Sequence, residues 1–340
     1  MLPNFLRRVI NFEFWPWQLF YFPLYPYLLY LSVKYKNAFA FSAINPSISE
    51  DSGLFNASKS SILNDIQKEY KPKEFLLDRT QDDSILSKLQ SVGIQFPLIC
   101  KPNFGERGIN VEKILDNVSL FSYLNEVPGP IVIQEFIDLP EEYAIVFFKH
   151  PKTGVIEITS IGQKEFLKVK GDGFSSVKEL LNKDSRGYLY TKTIIEKYPN
   201  KIHVVVPEGE VFLVEPIGNH CRGTKFIDRN DLLGNVSLLS KISKLLLPLK
   251  GFHFGRIDLK SLNEGNLLQE EGEIIVFEIN GVHAEPSHIY DPDTSIFKAY
   301  RDLYQQWDKI YCYGNMCTKQ GVPCLSLREF IYLRYKKINK

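Results

Sequence analysis

Two short runs, Gly255-Arg-Ile-Asp-Leu-Lys260 and Ile275-Val-Phe-Glu-Ile-Asn-Gly281, decide how this chain reads. Each is a β-type apolar run carrying polar residues two apart, Arg256 with Asp258 and Glu278 with Asn280. Strand side chains alternate between faces, so each pair projects to one side while Ile257, Leu259, Phe277 and Ile279 face the other. The connecting residues 261–273 are polar and contain glycine, as a hairpin connection does. Pairing the two runs gathers two carboxylates, an amide oxygen and a guanidinium on one face. Carboxylates buried together without a cation repel. An all-oxygen set of this kind suits a Mg²⁺ ion that keeps waters and bridges phosphates. The structural alternative is a salt bridge from Arg256 to Asp258 or Glu278.

Upstream, Phe96-Pro-Leu-Ile-Cys-Lys-Pro-Asn-Phe-Gly-Glu-Arg-Gly-Ile-Asn-Val111 delivers Lys101 at the end of an apolar strand, and Gly105 and Gly108 follow. Glycines let backbone N–H groups approach phosphate oxygens, and a lysine supplies a mobile point charge for them. Neither G-x-x-x-x-G-K-[ST] nor G-x-G-x-x-G occurs. Next, residues 131–148 run from one strand through a short connector into a second that opens on Glu141-Glu142. Such a connector offers backbone donors and acceptors to a flat adenine edge, and an acid beyond it can hold both ribose hydroxyls; the plainer reading is a solvated β-connection.

The rest of the 340 residues sets the frame. A formal net charge of +1, with 24% charged and 44% hydrophobic residues, gives no support for a nucleic-acid partner. The five cysteines show no zinc spacing and read as reduced cytoplasmic thiols. From Phe14 to Val33 no residue is charged and aromatics crowd the stretch, with Pro16, Pro23 and Pro26 opposing one smooth helix. Three readings stay open for it: packing on the protein or a partner, peripheral membrane contact through residues 12–36, or a span. Residues 37–50 read as a short apolar strand, and Ser58 as the cap of a helix through Lys68. Strands are expected near residues 74–77, 96–101, 131–136, 143–148, 211–215, 255–259 and 274–279. Helices are expected over 234–250, over 295–310, and from Leu325 onward, where the tail is basic. Strands and helices mix without strict β-α-β alternation, which gives an α+β fold.

These blocks, in this order, resemble the ATP-grasp superfamily across roughly residues 58–292. The run from Lys168 to Leu181, with its Gly171-Asp-Gly173, looks like the branch containing cyanophycin synthetase and glutathione-synthesising enzymes. Gly255-Arg-Ile-Asp258 and Glu278-Ile-Asn280 look like D-alanine–D-alanine ligase. The resemblance implies two α+β subdomains enclosing a nucleotide cleft, behind a reduced, aromatic-rich N-terminal region. The units would be residues 1–55, 56–130, 131–311 and a basic helical tail, 312–340. The resemblance also implies roles. ATP would meet Lys59, Lys101, the loop Gly105, Glu106, Arg107 and Gly108, then Gln134, Glu135, Phe136 and Ile137 at the adenine, and Glu142 at the ribose. Mg²⁺ (or Mn²⁺) would sit on Asp258, Glu278 and Asn280. Arg256 and Lys101 would act on the transferred phosphoryl, and Arg222, Lys225 and His283 would face substrate. After Asn280 the chain runs Gly-Val-His-Ala-Glu-Pro-Ser-His288, unlike the D-alanyl ligases, so the acceptor stays open. The implied activity is ATP- and Mg²⁺-dependent joining of a small-molecule carboxylate to an amine through an acylphosphate, on an amino-acid or peptide-like substrate, in the cytoplasm with or without membrane association. The alternatives are a small-molecule kinase, and a non-catalytic ATP-binding or membrane-tethered assembly protein.

Overall fold

The computed structural model describes residues 11–55, 58, 62–78, 85–105 and 108–338. The prolines divide the aromatic segment into two short helices, α1 (Trp17–Tyr21) and α2 (Leu24–Lys34), with Pro16 and Pro23 as their N-caps. Residues 37–50 do not form the expected strand. They fold as a 3₁₀ turn, Ala40–Ala43, followed by further turns. Ser and Asn side chains take over the backbone partners a strand would need. Ser52 Oγ accepts from Asn45 N (2.9 Å), and Asn45 Oδ1 accepts from the main chain of His253 (2.8 Å) and Phe254 (3.0 Å). Of the expected helix from Ser58, residues 59–61 lie outside the described residues; Ile62 and Ile66 are buried as its apolar face required.

The first sheet is built from β1 (Glu74–Leu77), β2 (Leu98–Pro102), β3 (Glu112–Ile114) and β4 (Ile131–Glu135), in the order β1-β4-β2-β3. Helices α3 (Ile85–Val92) and α4 (Asn117–Glu126) cover one of its faces. Phe75, Leu77, Leu98, Cys100, Ile131 and Ile133 pack there with Leu89, Leu120 and Tyr123. The alternate positions, Glu74, Ile99, Lys101, Val132 and Gln134, therefore share the other face. Strand β4 pairs with both β1 and β2, so residues 131–135 belong to this sheet.

The second sheet has the order β11-β10-β5-β6-β9 and is antiparallel throughout. Its members are β5 (Glu141–Lys149), β6 (Ile156–Glu165), β9 (Lys225–Asp228), β10 (Phe254–Ser261) and β11 (Ile274–Asn280). Between β6 and β9 the chain builds a small unit from β7 (Lys168–Lys170), α5 (Val177–Lys183), α6 (Gly187–Lys197) and β8 (Val211–Leu213). Helix α7 (Val236–Leu246) precedes β10, and α8 (Glu264–Leu268) lies inside the β10–β11 connection. One face of the sheet, with Tyr143, Ile145, Phe147, Ile257 and Leu259, packs on Leu238, Ile242 and Leu245 of α7. The opposite face is divided. Val146, Phe148 and Phe254 pack against Leu31, Phe41 and Ile310, and the polar residues take the remainder. Helix α9 (Ile296–Thr318) runs well past the expected end near residue 310, and α10 (Leu327–Ile338) closes the described chain. Tyr27 of α2 stacks on Tyr304 of α9 with centroids 4.3 Å apart, which fixes the N-terminal segment onto the second unit.

Candidate functional site

The register of β10 and β11 sets Asp258 directly opposite Glu278, and Arg256 opposite Asn280. All four positions thus share one face, as their spacing requires. Asp258 is fully buried and gathers the group: Arg256 donates to its Oδ2 through Nε (3.1 Å) and Nη2 (2.9 Å), and Asn280 Nδ2 donates to the same oxygen (3.0 Å). Its Oδ1 forms no aligned hydrogen bond but lies 3.0 Å from the Lys164 ammonium. Lys164, on β6, also donates to Glu142 Oε1 at 2.5 Å.

Lys164 was not anticipated, because nothing in its strand marks it. Yet the register puts it opposite Glu142 and on the same face as Asp258. Burial opposes its charge, but the adjacent Asp258 and Glu142 carboxylates win, and its ammonium is held above the usual lysine range. Burial likewise works against ionised Asp258, and Arg256 with Lys164 overcomes it, keeping the carboxyl below its ordinary range. Gly218 is a second residue the sequence did not expose. A Cβ there would stand 2.7 Å from Glu142 Oε1, so only glycine lets the backbone approach that carboxylate.

The ladder skips Phe277, since Asp258 pairs with Glu278 and Leu259 with Val276. The Phe277 carbonyl accepts instead from the first sheet: Lys101 Nζ at 3.1 Å and Gln134 Nε2 at 3.4 Å. Gln134 also donates to Glu74 Oε2 (2.7 Å), whose carboxyl burial pushes up. Lys101 and Gln134 thus reach the edge of the second sheet beside Glu278. The connector between the sheets is braced too: Lys260 Nζ donates to Ile137 O (3.1 Å) and stands 5.4 Å from the Phe136 ring, while Lys113 lies 3.6 Å over that ring. Burial lowers the Lys260 pKa.

The glycine loop is held from the second unit. Gly108 has φ +65, in the left-handed region, and Arg222 donates to its carbonyl and to Val111 O (3.1 Å). Arg222 also pairs with Glu215 at 3.6 Å. It positions the loop rather than reaching into open space. Gly105 adjoins that loop at φ +150. Lys59, Glu106 and Arg107 lie outside the described residues.

Other expected residues fall elsewhere. Lys225 pairs with Glu165, one step out of phase with Lys164, so its position is on the opposite face of the sheet from Asp258. Glu135 receives Lys73 N at 3.2 Å and is directed away from Gln134. His283 contacts Gly53 O, and its Nε2 lies 3.1 Å from Asn280 Oδ1, so it braces the Asn280 amide. His288 is buried between Ser160 Oγ (2.6 Å) and Asp302 Oδ2 (3.0 Å), a structural clamp. Beyond Arg256 the wall is formed by Glu285, whose backbone carbonyl Arg256 reaches at 3.4 Å and whose Oε2 accepts from Tyr290 (2.6 Å). Glu13, from the N-terminal segment, accepts from Arg186 (2.9 Å) and lies 3.0 Å from His220 Nε2.

Among the described residues no group of three or more His, Cys, Asp or Glu side chains comes close enough to cage a metal. The available donors are two carboxylates and an amide, and Asp258 Oδ1 is buried without an aligned donor. That set fits a Mg²⁺ ion completed by phosphate oxygens and water, not one held by protein alone.

No family model and no curated protein matches the chain. Among solved structures it is similar to the D-alanine–D-alanine ligase from Bacillus anthracis complexed with ATP, at 16% identity and TM-score 0.45, covering 84% of this chain and 71% of that one. It is similar to the VanG D-Ala:D-Ser ligase from Enterococcus faecalis, at 11% identity and TM-score 0.43, covering 79% of this chain and spanning 63% of that one. A bifunctional glutathione synthetase from Pasteurella multocida matches at 14% identity and TM-score 0.40, over 80% of this chain and 38% of that chain.

Proposed function

We propose that the chain is an ATP-grasp enzyme that uses Mg²⁺-ATP to activate a carboxylate and join it to an amine. The observation that carries this reading is the opposed pair Asp258 and Glu278, flanked by Arg256, Lys164 and Asn280, with Lys101 approaching from the other sheet. Cations from both sheets beside a two-carboxylate, one-amide oxygen set are what a polyphosphate with its metal needs.

In the proposed reaction a substrate carboxylate oxygen attacks the γ-phosphorus of ATP. The bond from that phosphorus to the β–γ bridging oxygen breaks, and ADP leaves with the electron pair. The amine nitrogen then attacks the acyl carbon of the acylphosphate, phosphate leaves with the C–O electrons, and the nitrogen gives up a proton. Asp258, Glu278 and Asn280 would hold Mg²⁺, which supplies charge neutralisation on the phosphates. Lys101, Lys164 and Arg256 would set positive charge against the negative charge that spreads over the transferred group, and Glu142, which orients Lys164, would take the ribose hydroxyls. Arg222 holds the main chain at Gly108 and Val111, where closure over the phosphates would exclude the water that hydrolyses an acylphosphate.

The test is ADP release from ATP and Mg²⁺ across amino acids and dicarboxylates, with products weighed by mass spectrometry. The reading expects ADP and phosphate in equal amounts with an amide product that needs both substrates. A stable phosphorylated product formed without any amine contradicts it.

A further inference from the structure

Helix α2 is apolar or aromatic at every position but Ser32 and Lys34, close to the pattern of a buried helix. Leu24 and Leu31 do face inward, but Phe22, Tyr25, Leu29 and Val33 are 68, 54, 68 and 72% exposed. At about 100° per residue Tyr25, Leu29 and Val33 fall within one quadrant of α2, a continuous outward stripe, with Phe22 exposed just before the helix. Trp17 and Leu19 of α1 are exposed as well. An apolar stripe of this extent on a folded surface marks a docking face.

Helix α10 shows the same property with charge added. Leu327, Ile331, Tyr332 and Tyr335 are exposed, interleaved with Arg328, Arg334 and Lys336. Its Phe330 turns inward against Phe39, Phe41 and Phe55, with centroids 5.4, 6.3 and 5.4 Å away. Nearby, Leu325 N donates to Ser42 Oγ at 2.9 Å and Asn37 Nδ2 to Cys324 Sγ at 3.3 Å. Leu31 of α2 and Phe330 of α10 pack into one apolar cluster with Phe39 and Phe41, so the two helices border the same corner of the molecule.

We propose that this corner docks on the surface of an anionic lipid bilayer. Three features select that occupant. First, no acidic residue lies between Glu13 and Glu50, and Leu325 to Lys340 carry five basic residues against Glu329 alone. Second, Trp17, Tyr25, Tyr30, Tyr332 and Tyr335 place amphipathic rings on the exposed surface, as interfacial anchors do. Third, no described helix is long and apolar enough to cross a membrane, so the contact lies in the interface plane. A two-fold dimer through the same face would bring the α10 cations of two copies together, a repulsive arrangement. The inference does not rest on the nucleotide reading.

The experiment is co-sedimentation of the full chain with vesicles of phosphatidylcholine alone and of phosphatidylcholine with phosphatidylserine. Binding to the mixed vesicles is expected, with a blue-shifted tryptophan emission and a loss at high salt. Replacing Leu29 and Val33 by Glu abolishes it, and Arg334→Ser and Lys336→Ser weaken it by about fivefold each. Folding of every variant is checked by circular dichroism. A folded wild-type chain that stays in the supernatant with both vesicles overturns the inference. So does equal, salt-insensitive binding to both, or a dimer in light scattering that Leu29→Glu dissolves.

Discussion

Asp258 holds a buried negative charge between two cations. It is fully buried between Arg256 and Lys164, and its pKa is held low by both. Replacing it by Asn leaves two buried cations short of a counter-charge, so Asp258→Asn is expected to cost about 3 kcal/mol in chemical denaturation. Glu285 behaves in the opposite sense: burial pushes its carboxyl up to about 7, from an ordinary 4.5. The folded state then keeps a proton that the unfolded chain releases, so stability falls as pH rises from about 4.5 to about 7 and levels off above. Glu285→Gln removes that slope; thermal melts across the range would show it, and an unchanged slope would assign it to another group. The period-two spacing of Arg256, Asp258, Glu278 and Asn280 made their shared face legible in the sequence. Lys164 was not legible, because it joins the group only through the β5–β6 register. The face of Lys225 is likewise set by the β6–β9 register, one residue out of phase with Lys164.

The main chain at Gly108 and Val111 is set by what grips it. Arg222 bonds two of its neighbouring carbonyls, so Arg222→Ala is expected to speed amide hydrogen exchange around Gly108 and weaken ATP binding about tenfold. Faster exchange with unchanged affinity would leave the loop without a part in nucleotide binding. Gly108→Ala forces a side chain into φ +65 and is expected to cost about 1–2 kcal/mol. Elements with strong periodicity, such as β1, β4, β10, β11 and α7, were readable from hydrophobic pattern alone. Residues 37–50 were not, since side-chain hydrogen bonds from Asn45 and Ser52 outweighed an apolar run. The skipped residue at Phe277 has no sequence mark either, yet it exposes the carbonyl that Lys101 and Gln134 meet.

Across the whole molecule, two antiparallel sheets turn their polar positions toward one another, and the connector Phe136–Ile137 is held by Lys260 and Lys113. Apolar cores behind each sheet, on α3 and α4 and on α7, keep both polar faces in place. The N-terminal segment contributes to the second unit through Glu13, which ties it to Arg186 and His220 beside Arg222. A ligand held by both sheets stabilises the folded chain by mass action, by about 2.7 kcal/mol at a hundred times its dissociation constant. Calorimetric titration of ATP into the full chain, with and without Mg²⁺, is the direct measurement. The account predicts saturable, Mg²⁺-dependent binding below about 1 mM, with Lys101→Ala weaker and its turnover lower by about 10²–10³. A folded chain that binds no ATP at that concentration, or binds it equally well as Lys101→Ala, contradicts the account.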